Sequence, residues 1–257
     1  MRLDRRNFIG GVLAATAATT ASGAAGEKRR RDVVVYVSGH PDDLAGSMGT
    51  VIRLAEKYDV HMIDYTHGEL GCGKQGQLDG STRVKRTAEE EAVCREVGIT
   101  LHWCEEMDCH AYAGQETCAR IAKIFEEIKP RALIVHSFMD INLDHMMSAA
   151  AAIKAAEMAN IRPEIYFQEQ TRQSRGFQPV YYVDVSKLVE RKQKLCELYA
   201  CQNGAKIGER KNYAAHANAM RISGGWEPIT HCEVFGVFPG TVLAGKGIFD
   251  EMEGVLR

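Results

Sequence analysis

The feature of this sequence that most constrains its fold is a regular alternation of short, β-branched apolar runs with amphipathic helical patterns. The first run, residues 32–38 (DVVVYVS), is apolar at successive positions, which is typical of a strand buried on both faces. Further strands are predicted at residues 60–66, 99–103, 132–137, 164–168 and 180–185, with a short hairpin near 232–238. Helices are predicted at residues 47–57, 82–97, 115–128, 144–158 and 186–201.

This order of elements predicts an α/β fold, a Rossmann-like three-layer sandwich with a mostly parallel sheet and helices on both faces. The 257 residues contain no internal repeat and no long Gly/Ser/Pro linker, so residues 25–257 are predicted to form a single domain. The 32 basic and 34 acidic side chains nearly balance, without the basic excess typical of nucleic-acid-binding proteins. We therefore expect no nucleic-acid partner, while the oligomeric state stays open.

The first residues have the pattern of an export signal. Arg5 and Arg6, followed by Asn-Phe-Ile, precede a weakly apolar run at 10–21 and the small residues Ser-Gly-Ala at 22–24. Adjacent arginines before Phe-Ile resemble the twin-arginine signal, so residues 1–24 are predicted to direct export to the periplasm or the cell exterior. The run is too short and too rich in Thr and Gly for a stable membrane anchor. A disordered basic leader is the alternative.

The eight cysteines contain no Cys-x-x-Cys pair, which leaves a zinc ribbon or a thioredoxin-type centre without support. An oxidising compartment permits disulfides, but spacing does not assign their pairing. Cys104 and Cys109 are the first pair to examine.

Polar clusters follow three of the predicted strands. They are residues 39–43 (GHPDD), 66–71 (THGELG) and 140–145 (DINLDH). Ligands of open α/β sheets bind at the carboxyl ends of the strands, so these clusters are expected to converge at one edge.

His40 and His145 offer two imidazoles, and Asp43 offers a carboxylate. Together they form a three-ligand set that leaves one coordination position of a metal ion open for water. The neighbouring Asp42 would then act as general base toward metal-bound water, the expected nucleophile. Zn²⁺ is the expected ion, with Fe²⁺ as the alternative. The structural alternative is that both His-Asp segments merely cap helices, since Asp is common at helix N-termini.

The same residues resemble the PIG-L/LmbE-like family, whose members remove acetyl groups from N-acetylglucosamine-type substrates with a zinc ion. The resemblance covers about residues 32–238 and rests on 39–44, 66–71 and Asp144-His145. It implies that His40, Asp43 and His145 hold the metal and that Asp42 is the base.

The resemblance also implies roles for three further residues. Asp144 would orient a histidine or support the proton relay. Glu69 and Arg86 fall where the family shapes its sugar pocket, with a buried ion pair or a helix-surface charge as the alternative for each.

Three positions depart from the family pattern. Leu44 replaces a common Glu, and Asn142 replaces a histidine that often stabilises the oxyanion. Asn142 can donate one hydrogen bond to an oxyanion, but without a positive charge. Residues 199–202 (YACQ) stand where many members carry His and Ser before the Gln.

The sequence thus predicts a zinc-dependent N-deacetylase acting on a carbon–nitrogen amide bond. Its substrate would be an N-acylated amino sugar or glycoconjugate, and acetyl is the expected acyl group. The alternative, favoured by Leu44 and Asn142, is an exported carbohydrate-binding protein of the same fold with reduced or lost catalysis. A nucleotide-binding protein is disfavoured because the first strand–helix turn lacks Gly-x-Gly-x-x-Gly.

Overall fold

The computed structural model describes residues 31–71, 80–170, 176–204, 206, 217, 228–241 and 245–257. The predicted export signal and Cys72 lie outside the described residues. The strands are β1 (Val33–Ser38), β2 (Asp59–Thr66), β3 (Thr100–Glu106), β4 (Ala132–His136), β5 (Glu164–Gln168), β6 (Tyr181–Asp184), β7 (Cys232–Val237) and β8 (Val255–Leu256). The helices are α1 (Met48–Lys57), α2 (Ser81–Val97), α3 (Gln115–Ile128), α4 (Leu143–Met158) and α5 (Val189–Cys196).

The eight strands form one sheet in the order β3-β2-β1-β4-β5-β7-β6-β8. Strands β1 to β5 pair in parallel, whereas β7 is antiparallel to β5 and β6, and β8 is antiparallel to β6. The structure confirms the predicted α/β fold with a mostly parallel sheet. Within the described residues, no helix is both long enough and apolar enough to cross a membrane.

Both faces of the sheet are covered, which explains why residues 33–37 of β1 are all apolar. On one face, Val34 and Tyr36 belong to a buried cluster that includes Val51 of α1. On the other face, Val35 belongs to a second cluster with Phe125 of α3 and with the alanines of α4. The small alanine side chains let α4 pack closely against the sheet, and this places the first turn of α4 near the end of β1.

Two predicted elements differ from the structure. Residues 186–201 were expected to form one helix, but α5 ends at Cys196, and a separate 3₁₀ turn covers Ala200–Gln202. The fully buried Tyr199 lies between the two, so tertiary contact overrides the helical pattern here. The predicted hairpin near 232–238 is instead the single strand β7, inserted between β5 and β6. Both of its partners are distant in sequence.

Helix α1, which follows the first polar loop, is anchored by a carboxylate from β7. Glu233 accepts hydrogen bonds from the backbone N–H groups of Gly49 (3.0 Å) and Thr50 (2.7 Å). It also pairs with the buried Lys192 at 2.7 Å. The side chain of Ser47, at the N-cap position, makes no capping hydrogen bond. Glu233 therefore satisfies the first turn of α1 and fixes its position against the sheet.

Replacing Glu233 with alanine is expected to lower the free energy of unfolding by about 3–5 kcal/mol, because it leaves Lys192 as an uncompensated buried charge. Urea unfolding followed by circular dichroism measures this loss. Glu126→Ala, at an exposed position of α3, is the control and should change stability by less than about 0.5 kcal/mol. A Glu233→Ala midpoint equal to that of the control would contradict the anchoring role.

Candidate active site

The polar clusters meet where the strand order reverses, between β1 and β4. His40 follows β1, and Asp43 begins the short 3₁₀ turn after it. His145 lies in the first turn of α4, which follows β4. All three side chains are at least nine-tenths buried. The segments that follow β1 and β4 thus bring the predicted ligand set together at one edge of the sheet.

The three predicted metal ligands have donor atoms close to one another. His40 Nδ1 is 3.2 Å from His145 Nε2, and Asp43 Oδ2 is 3.6 Å and 3.2 Å from these two nitrogens. Ligands about 2.1 Å from a tetrahedral zinc ion are separated from one another by roughly 3.4 Å. The donor set therefore fits a single divalent ion without rearrangement.

The Asp43 carboxylate is held by its surroundings. Its Oδ2 accepts hydrogen bonds from the backbone N–H groups of Gly39 (3.0 Å) and His40 (2.9 Å). His136, fully buried at the end of β4, places Nε2 3.1 Å from the same oxygen. Burial alone would raise the pKa of Asp43, but the charge of His145 and the contact with His136 keep it well below its ordinary value. The carboxylate is ionised and oriented.

Each candidate imidazole ligand has a carboxylate behind it. His145 Nδ1 is 2.9 Å from Asp140 Oδ2. His40 Nε2 lies 3.1 Å from Asp144 and 3.2 Å from Asp108. Such carboxylates fix the ring orientation and tautomer of metal-binding histidines. Asp144 is therefore placed to orient His40, one of the two roles that the resemblance implied.

Gly39 permits the close approach of α4 to this loop. A Cβ atom at this position would lie 2.7 Å from Cδ2 of His145. Gly39→Ala is therefore expected to displace His145 and to weaken zinc binding by about 10- to 100-fold. Zinc affinity can be measured by competition with a chromophoric chelator. Gly114→Ala is the control, because Gly114 has a φ of −73° and its Cβ would meet only the exposed side chain of Tyr112. Unchanged zinc affinity in Gly39→Ala would show that the close approach is unimportant.

The metal-free site binds protons where the metal would bind. Burial alone would lower the pKa of His145, but Asp43 and Asp140 raise it to about 9. Burial would likewise lower the pKa of His40, but contacts with Asp108 and Asp144 raise it well above its ordinary value. Both rings are therefore in the cationic imidazolium form at neutral pH, and metal binding must release the extra proton of each ring.

We expect metal affinity to increase as pH rises from 6 to 8, by about 10-fold per pH unit for each proton released. Calorimetric zinc titrations in buffers of different ionisation enthalpy measure the number of protons released. Zinc binding that releases no proton at pH 7 would contradict this charge state.

Asp42, the predicted base, is not one of the three donors. Its Oδ1 is 2.6 Å from Nη2 of Arg86, and its side chain is 20% exposed. The same guanidinium donates to the carbonyl oxygens of Pro41 and Gly68. Arg86, predicted to shape the sugar pocket, thus lies at the cavity in an ion pair with Asp42.

The other predicted site residues are placed as follows. Asn142 Oδ1 accepts a hydrogen bond from the backbone N–H of Asp144 (2.9 Å), so Asn142 is the N-cap of α4. This use of the oxygen leaves the amide nitrogen to donate. Glu69 is half-buried in the loop after β2, and its Oε2 has no hydrogen-bond partner among the described residues. Leu44 is fully buried in the core, away from the cavity.

The three candidate ligands and the predicted base, Asp42, line one cavity of about 260 Å³. It is lined by the three candidate ligands together with Asp42, Arg86, Asp108, Cys109, Asn142, Leu70, Gly71 and Gln202.

Cys104 is buried and Cys109 is exposed, and no disulfide joins this pair. Sequence reasoning assigned no role to Asp108, Asp140 or His136. The position of Asp140 in the third polar cluster was the only usable signal.

Known proteins resemble this chain in sequence and in structure. Residues 35–156 match the family PIG-L, GlcNAc-PI de-N-acetylase. A 4-oxalmesaconate hydratase of Pseudomonas putida is 24% identical over 187 residues, which cover 65% of this chain and 72% of the hydratase.

Two solved structures have the same fold. The 4-carboxy-2-hydroxymuconate hydratase of Pseudomonas putida has a TM-score of 0.73 and 20% identity, covering 84% of this chain and all of that one. The N,N'-diacetylchitobiose deacetylase of Pyrococcus horikoshii has a TM-score of 0.65 and 21% identity, covering 82% and 85%. The family match confirms the predicted family, and residues 35–156 belong to a PIG-L family domain.

Proposed function

We propose that the protein is a metal-dependent hydrolase that removes an acyl group, foremost acetyl, from an N-acylated amino sugar or glycoconjugate. One observation carries the proposal. His40, Asp43 and His145 converge as a donor set, and a further carboxylate, Asp42, lies in the same cavity. This combination supplies both a metal site and a base, as amide hydrolysis requires.

A divalent ion bound by these donors would polarise the amide carbonyl and lower the pKa of water toward neutrality. Asp42 accepts the proton of the attacking water and delivers it to the leaving amine nitrogen. Arg86 pairs with the carboxylate of Asp42 and fixes its direction. The amide nitrogen of Asn142 donates a hydrogen bond to the oxyanion as it forms. The products are a free amine and a carboxylate, acetate when the acyl group is acetyl.

The charges of the cavity support a neutral substrate. Asp42, Asp43 and Asp108 line it, and among the described lining residues Arg86 is the only lysine or arginine. Because Arg86 is paired with Asp42, it is not available to bind a substrate carboxylate. An N-acyl amino sugar is uncharged at its amide, so it needs no unpaired lysine or arginine in the cavity.

The competing activity is the addition of water to an unsaturated carboxylic acid, favoured by the similarity in sequence and in structure to Pseudomonas putida hydratase. The same base and metal would serve that reaction. However, such substrates carry several carboxylates, and the described part of the cavity offers only the Arg86 guanidinium to bind them. We therefore rank hydration second.

We further propose that residues 1–24 direct export, so that the substrate lies in the periplasm or outside the cell. The adjacent Arg5 and Arg6 support this assignment. Replacing both with lysine should leave the protein in the cytoplasm, whereas an unchanged location would contradict the twin-arginine route.

The proposed activity is tested with purified protein loaded with Zn²⁺ or Fe²⁺. It is incubated separately with N-acetylglucosamine, with N,N'-diacetylchitobiose and with an unsaturated tricarboxylic acid. Release of acetate and free amine in equal amounts supports the hydrolase. Loss of the tricarboxylate chromophore without acetate release from either sugar would establish the hydratase instead. Sugar binding without turnover would favour a carbohydrate-binding protein.

A further inference from the structure

The backbone of Asp42 has an unusual conformation. Its φ of 93° and ψ of −16° lie in the left-handed region, which is unfavourable for a residue other than glycine. Such conformations persist only where the surrounding structure holds them, and they cluster at functional sites. The contacts that hold the backbone of Asp42 therefore help to determine the direction in which its carboxylate, the proposed base, points.

One of these contacts comes from a buried acid on α2. Glu90 is fully buried, and its Oε2 accepts a hydrogen bond from the backbone N–H of Asp42 at 3.0 Å. Its other oxygen, Oε1, accepts from the hydroxyl of Tyr199 at 3.0 Å. Both carboxyl oxygens are thus directed, one toward Asp42 and one toward the segment after α5.

The same helix also holds the side chain of Asp42. Arg86 lies one turn before Glu90 on α2 and pairs with the carboxylate of Asp42. Helix α2 therefore fixes Asp42 at two points, the peptide N–H through Glu90 and the carboxylate through Arg86. Loss of the first contact would let the peptide relax out of its left-handed conformation and turn the carboxylate away from the cavity.

We infer that Glu90 is a positioning residue for the general base, held in its own orientation by Tyr199. The inference rests on the proposed function of Asp42. Glu90 lies behind the base and does not line the cavity with the three metal ligands, so it acts on turnover through Asp42. Neither substrate binding nor metal binding should depend on it strongly.

The chemistry of Glu90 supplies a conservative variant. Burial raises the pKa of Glu90 to about 8, so the side chain is largely a neutral acid at pH 7. Glutamine has the same shape, and its amide oxygen can accept from the Asp42 N–H. Its amide nitrogen can donate to the hydroxyl oxygen of Tyr199, as the O–H of a neutral Glu90 can, which reverses the direction of that hydrogen bond but keeps the contact. Leucine has a similar volume but no acceptor.

The test compares three variants in the metal-loaded protein. Glu90→Leu is expected to lower kcat by about 10- to 100-fold, with KM within about twofold and metal content unchanged. Glu90→Gln should restore kcat to within about fivefold of wild type, and Tyr199→Phe should fall between the two. Glu91→Leu, at an exposed neighbouring position of α2, is the matched control.

Wild-type kcat in Glu90→Leu would overturn the inference, and so would equal losses in Glu90→Leu and Glu90→Gln. Should Glu90→Leu fail to fold, Tyr199→Phe carries the same test, and unchanged kcat there overturns it. A wild-type protein that releases no acyl group would overturn the proposed function instead. The positioning role is then read from hydrogen exchange, since the Asp42 amide should exchange at least about 10-fold faster in Glu90→Leu. Unchanged protection of that amide would contradict it.

Discussion

Asp42→Ala is expected to lower kcat by about 10²–10⁴-fold while the protein keeps its metal. The substitution removes the carboxylate that accepts a proton from water, but His40, Asp43 and His145 retain their donor atoms. Activity and metal content, measured on the same sample, separate loss of the base from loss of the ion.

Asp59→Ala is the matched control for Asp42→Ala, because Asp59 is an exposed aspartate at the start of β2. It should keep wild-type kcat. If Asp42→Ala also kept near-wild-type activity, another group would have to be the base. Loss of metal in Asp42→Ala would instead indicate that Asp42 supports the ion.

His145→Ala is expected to lose both metal and turnover. The substitution removes Nε2 of His145, one of the three proposed metal-binding atoms. It also leaves the buried Asp140 without its imidazole partner at 2.9 Å. We expect metal affinity to fall by more than about 100-fold, beyond the effect of changing a group behind a ligand. Chelator competition and the acetate-release assay measure the two losses.

His231→Ala serves as the histidine control, since His231 precedes β7 and does not line the cavity. It should retain metal and activity. A His145→Ala variant with wild-type metal affinity would remove His145 from the ligand set. Among the described residues, two of the three possible donor groups contain His145, so the third, His40 with Asp108 and Asp144, would then become the candidate site.

The fold and the ligand set follow largely from local sequence. Residues 33–37 are apolar throughout because helices cover both faces of β1, and this pattern alone predicts a buried parallel strand. Polar residues directly after β1 and β4 must then meet at one edge of the sheet. His40, Asp43 and His145 are found together for this reason.

The groups behind the ligands could not be predicted in the same way. Asp108 and His136 contact His40 and Asp43 through long-range packing, and no spacing in the sequence marks them. For Arg86 the sequence left a sugar contact and a buried ion pair open, and the structure shows an ion pair with Asp42. The insertion of β7 between β5 and β6 likewise depends on partners far apart in the chain.

The central claim is that one divalent ion binds between the β1 and β4 loops, and elemental analysis of the purified wild-type protein tests it most directly. We expect about one equivalent of zinc or iron per chain, and we expect a chelator to remove both this metal and the activity. A protein that takes up no metal from a zinc or iron solution, or that hydrolyses its substrate equally well without metal, would contradict the account.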